Sequence, residues 1–104
     1  MYKVIKTETV QKEIDNIVDY MISEFHNVDI AIEFLEAIDD ALETITNYPR
    51  IGKEYEPDEK LDRPYRIKLV KNCKLFYTID DADQKNKKIY IAHLFHDLQD
   101  VSLS

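Results

Sequence analysis

Residues 65–80 read YRIKLVKNCKLFYTID, and the period of their side chains decides the fold. Tyr65, Ile67 and Leu69 alternate with Arg66, Lys68 and Val70. Leu75, Tyr77 and Ile79 alternate with Lys74, Phe76 and Thr78. A period of two is that of a β-strand, and Lys71–Asn72 between the two runs reads as a hairpin turn. Ile89 to Phe95 makes a third apolar run after a connection over Asp80–Lys88.

Working outward, residues 2–7 (YKVIKT) read as a short strand. The period then lengthens. Val10, Ile14, Ile17, Val18, Met21, Ile22 and Phe25 form one helical stripe, which Thr9 would cap. Ala31, Phe34, Leu35, Ile38, Leu42, Ile45 and Tyr48 form a second, with Asn27 or Asp29 as its cap and Pro49 as its stop. Gly52, the single glycine, falls in the following turn, and residues 49–64 read as a polar loop. The short link between the helices predicts an antiparallel hairpin.

The resulting order is β-α-α-β-β-β, an α+β domain over residues 1–104 in which a helical hairpin covers one face of a mainly antiparallel sheet. The expected core is Ile17, Met21, Phe34, Leu35, Ile38, Leu42, Ile67, Leu69, Leu75 and Tyr77.

Charge is unevenly spread. The net charge is −7, but residues 1–60 hold 15 acids and 6 bases, whereas residues 61–104 hold 6 acids and 8 bases. An acidic whole argues against broad, non-specific binding to nucleic acid, while a mildly basic end leaves room for a local phosphate-binding face. No apolar run is long enough to span a bilayer, and the first residues show no signal-peptide pattern, so the cytoplasm is the expected location. Cys73 is alone, which excludes an internal disulfide and a cysteine zinc site.

One glycine excludes a glycine-rich phosphate loop, and no serine has a triad context. His26, His93 and His96 make no ligand set, and no metal or cofactor is expected. His93 and His96 are three apart on a strand, so they should face opposite sides unless a bulge intervenes. The informative cluster is cationic. Arg66 and Lys68 share the side opposite Tyr65, Ile67 and Leu69. If that apolar set faces the helices, Arg66 and Lys68 point outward, with Lys74 near them and His96 ending the last strand. Such a set holds a phosphodiester, stabilises developing charge and moves a proton. Cations on an exposed sheet face also serve merely for solubility and against edge pairing.

The stretches 65–80 and IYIAHLFHDLQD (89–100) together resemble the RelE/ParE superfamily of toxins from type II toxin–antitoxin pairs. The matching residues are Tyr65, Arg66, Val70, Asn72, Phe76, Tyr77, Ile79, Asp80, His96 and Asp100. The helix-terminal NYPRIG (47–52) is similar as well. The resemblance implies a toxin neutralised by a cognate antitoxin. It acts either as a metal-independent endoribonuclease on ribosome-bound mRNA or as an inhibitor of DNA gyrase. For the nuclease it implies Arg66, Lys68, Lys74 and His96 as the catalytic set. The chain departs from the nuclease pattern at His93, at Leu98–Gln99 and in lacking a tyrosine after His96. A catalytically inactive member that only binds an antitoxin is the remaining alternative.

Overall fold

The computed structural model describes residues 2–55 and 64–96. The chain runs β1 (Lys3–Lys6), α1 (Glu8–Phe25), α2 (Val28–Asn47), β2 (Lys53–Tyr55), β3 (Tyr65–Val70), β4 (Cys73–Asp80) and β5 (Lys88–His96). One five-stranded sheet forms in the order β1-β5-β4-β3-β2. Its pairs are antiparallel except β1 with β5, which is parallel. The helical hairpin on a mainly antiparallel sheet is therefore as the periods predict, with one strand more. That strand, β2, is three exposed residues inside the stretch read as a polar loop. KEY is too short to carry an alternation.

Both helices start on a side-chain oxygen. The α1 cap is Thr7 rather than Thr9, which lies in the first turn. Thr7 Oγ1 accepts the Val10 N–H at 3.2 Å, and its hydroxyl donates to the Ile91 carbonyl at 2.8 Å. The cap thus also ties α1 to β5, a tertiary role that local sequence does not reveal. His26, in the left-handed region with φ 50°, ends α1, and Asn27 caps α2 by accepting the Asp29 N–H at 2.9 Å.

The core lies between the hairpin and one face of the sheet. Val10, Ile14 and Ile17 from α1 and Phe34, Ile38, Ala41 and Ile45 from α2 meet Val70, Cys73, Leu75, Tyr77, Ile89, Ile91 and Leu94. Each large side chain buried there contributes about 1.5–3 kcal/mol. Of the expected core, Ile17, Phe34, Ile38, Leu75 and Tyr77 are buried, Met21 and Leu42 pack on its margin and Ile67 is half-buried. Leu35 and Leu69 are exposed, Leu69 to 64 %.

Leu69 reveals an inversion of β3. Val70 and Cys73 flank the two-residue turn, pair with each other and are both buried. The pleat then carries Lys68, opposite Leu75, and Arg66, opposite Tyr77, to the helix side. Tyr65, Ile67 and Leu69 face away from the helices, contrary to the expectation. Apolar residues on both faces of this strand left the period without a direction, and the turn at Lys71 (φ 56°) sets it.

Candidate functional site

The helix side of β3 opens on the segment that leaves α2. Tyr77, fully buried on β4, donates its hydroxyl to the Pro49 carbonyl at 2.6 Å and accepts the Gly52 N–H at 2.9 Å. A Cβ on Gly52 would lie 2.5 Å from that hydroxyl and 2.9 Å from the Ile67 carbonyl oxygen, so the close approach requires glycine. Burial raises the Tyr77 pKa above its ordinary value, against the smaller opposing effects of the Gly52 hydrogen bond and the Arg66 charge. Beside it the Arg66 guanidinium donates to the Gly52 carbonyl at 2.8 Å and the Arg50 carbonyl at 3.2 Å, and pairs with Glu54 at 3.1 Å.

Three acceptors thus hold Arg66, and two of them are main chain. Arg50 itself pairs with Asp81 at 2.8 Å; that hydrogen bond is the main cause of the lowered Asp81 pKa and raised Arg50 pKa. A shallow pocket of about 290 Å³ lies here, lined by Arg50, Glu54, Pro64, Tyr65, Arg66 and Ile79.

Of the other expected site residues, Lys68 shares the face of Arg66, whereas Lys74 and His96 do not lie beside it. Lys68 is on the helix side, two residues along β3. His96, opposite Cys73, is on the helix side two strands away. Lys74 pairs with Leu69 and Phe95 and so lies on the opposite face. Asp100 and Leu98–Gln99 lie outside the described residues. Among the described residues, no three His, Cys, Asp or Glu side chains assemble as a metal-ligand set.

The face away from the helices, here called the open face, carries what the sequence reading passed over. Its centre is a row of rings: Phe76 meets Tyr55 at 5.4 Å, Tyr65 at 6.3 Å and Phe95 at 5.4 Å, all edge-on, and His93 stacks on Phe95. Edge-on pairs of this kind are each worth about 0.5–1.5 kcal/mol beyond their burial. Register places Lys3, Lys53, Lys74 and Lys88 on the same face with one acid, Asp80, a net charge of +3 among the described residues. The signal was available: Tyr65, Phe76 and Phe95 occupy the face that excludes Tyr77 and Leu94. It required knowing which face the helices cover.

His93 and His96 do face opposite sides. The bulge falls at Ala92, because Ile91 pairs with Tyr77 and His93 with Phe76, and the strand is regular beyond it. Where β1 ends, α1 covers the exposed edge of β5: Glu13 Oε1 accepts the Leu94 N–H at 3.1 Å. The same oxygen lies 3.5 Å from His93 Nδ1, a contact whose geometry falls short of a hydrogen bond.

A two-helix hairpin on a five-stranded, mainly antiparallel sheet is consistent with a RelE/ParE-type domain. The family model described as the ParE toxin of the type II toxin–antitoxin system parDE matches residues 4–101, and the chain belongs to that family. It is accordingly a toxin of a type II pair, with an antitoxin as its implied partner. Comparison with curated proteins finds no matching relative. No helix among the described residues is long and apolar enough to cross a membrane.

Proposed function

We propose that this toxin acts in the cytoplasm by binding and inhibiting a macromolecular enzyme of the DNA gyrase class, without chemistry of its own, until a cognate antitoxin neutralises it. The observation that carries this reading is the engagement of Arg66. Its guanidinium holds the Pro49–Gly52 turn to the sheet and ion-pairs with Glu54, while Lys74 lies across the sheet from it. A ribonuclease needs cations and a proton-transfer group aimed at one phosphodiester. Arg66, Lys68, Lys74 and His96 are spread over two faces and three strands.

The open face supports the binding reading. Rings such as Phe76 and Phe95 share this face with four lysines and so combine the aromatic anchors and cations typical of contact surfaces. They lie on the basic side of an acidic molecule, as suits an enzyme engaged with DNA. The purified chain, added to gyrase and relaxed plasmid, is expected to block supercoiling and to leave mRNA on programmed ribosomes intact. The His96→Gln variant should inhibit equally, and Phe95→Ser should inhibit less. Metal-independent mRNA cleavage that His96→Gln reduces by ~10²–10⁴-fold would establish the nuclease instead. Inactivity in both assays would leave only antitoxin binding.

A further inference from the structure

The helical hairpin carries a second surface that the sheet reading does not use. Together α1 and α2 hold eleven carboxylates and one lysine, Lys12, a net charge of −10. Within this acidic element six large apolar side chains are 39–57 % exposed: Tyr20, Ile22, Phe25, Val28, Ile32 and Leu35. All fall in residues 20–35, around the turn at His26–Asn27.

Single exposed apolar residues are ordinary on a protein surface. Val28, Ile32 and Leu35 are not single. Steps of four and three put them in one stripe over two turns of α2. That stripe is separate from the core stripe of Ala31, Phe34, Ile38, Ala41 and Ile45 and lies about 100° round the helix from it. Asp29, Glu33, Glu36 and Asp39 are exposed beside it. Helix α2 is thus apolar on two sides, and the hairpin supplies a partner for only one of them.

We propose that the Val28–Ile32–Leu35 stripe is a docking site for a basic amphipathic helix of a partner protein. The charge selects that occupant. A second copy would bring ten more negative charges against the first, and both an anionic membrane and a nucleic acid are repelled. A helix with Leu- or Ile-type residues on one side fills the stripe by the spacing of helix-in-groove recognition. Lysine or arginine on its flanks pairs with Asp29, Glu33, Glu36 and Asp39. The stripe is on the hairpin, and the hairpin covers the sheet side opposite the rings. Occupation here is therefore compatible with contacts on the open face and does not depend on the gyrase reading.

The test uses the whole chain and a fluorescein-labelled peptide of roughly 18 residues, five helical turns, with leucine on one side and lysine elsewhere. Two controls accompany it: a scramble of the same composition, and a version with glutamate for lysine. Anisotropy at physiological salt should show the lysine helix binding at least about tenfold more tightly than either control. Ile32→Ser with Leu35→Ser should weaken it by about tenfold or more, the scale of losing an interface anchor. Amide shifts in the labelled chain should centre on residues 28–39. Both positions are exposed, and an unchanged melting curve for the double variant separates lost binding from lost folding. Equal binding of the scramble, equal binding of the glutamate helix, or shifts confined to the sheet would each overturn the proposal. So would self-association in sedimentation that Leu35→Ser abolishes, because the occupant would then be a second copy.

Discussion

At the scale of the residue, Tyr77 joins the two halves of the chain. Its hydroxyl closes the Pro49–Gly52 turn, so the end of α2 is fixed to the middle of the sheet by one buried polar atom. Tyr77→Phe leaves the Pro49 carbonyl and Gly52 N–H without that partner and should cost about 1–3 kcal/mol in urea unfolding. Gly52→Ala, which sets a methyl against a main-chain carbonyl as well as the ring, should destabilise by a similar ~1–3 kcal/mol.

The pH dependence follows from the raised Tyr77 pKa. An acid whose folded pKa lies above its unfolded value stabilises the fold fully below the unfolded value, near 10, and loses that contribution as pH rises through the folded one. Tyr77→Phe should therefore flatten the fall in stability above that pH relative to the native chain. An identical alkaline slope in both would mean that the hydroxyl titrates as if exposed. Arg66 shows why residue-level reading from sequence stopped short. A cation on a strand next to a tyrosine looks like an anion site, whereas here its acceptors are main-chain carbonyls brought in from a turn 14 and 16 positions away.

At the scale of the element, the periods in the sequence were sufficient for existence and type and insufficient for direction. Both helices, the hairpin at Lys71–Asn72 and the long connection before β5 stand where the spacing put them. The face of β3 did not, because Tyr65, Ile67 and Leu69 form as good an apolar set as Val70 with the strand beyond the turn. The sheet is apolar on both sides near Phe76, so alternation carried no polarity. The helix stripes fail in a related way: Ile22 and Phe25 continue the period of α1 yet are exposed, and Leu35, next to buried Phe34, lies off the core stripe of α2.

Stability measurements separate the two groups. Phe34→Ala, in the core, should cost about 2–5 kcal/mol, whereas polar substitution of Leu35 or Leu69 should stay within about 0.5 kcal/mol. A large loss at Leu69 would mean that the open face is covered. Thr7→Ala removes both a helix cap and the bond to Ile91 and should cost about 1–2 kcal/mol, at the upper end for a cap.

At the scale of the whole molecule, the fold sorts charge. The hairpin collects the acids, and the open face of the sheet collects lysines and a row of aromatic rings. The sequence foreshadowed this in its acidic first part and mildly basic remainder, but chain order alone mixes the two sides. Lys3 and Lys53 come from the acidic part and lie on the basic face. Association through that face should weaken with salt, whereas urea stability should rise as salt screens the repulsion among the carboxylates of the hairpin.

The central claim is that this toxin arrests growth by binding rather than by cutting RNA. The most direct measurement is induction of the native chain and of His96→Gln in cells, with plasmid superhelicity and transcript 5′ ends followed from the same cultures. The account predicts that both chains relax the plasmid and halt growth alike, with transcripts intact at first. Early codon-phased mRNA cleavage by the native chain, abolished in His96→Gln together with the growth arrest, would contradict it.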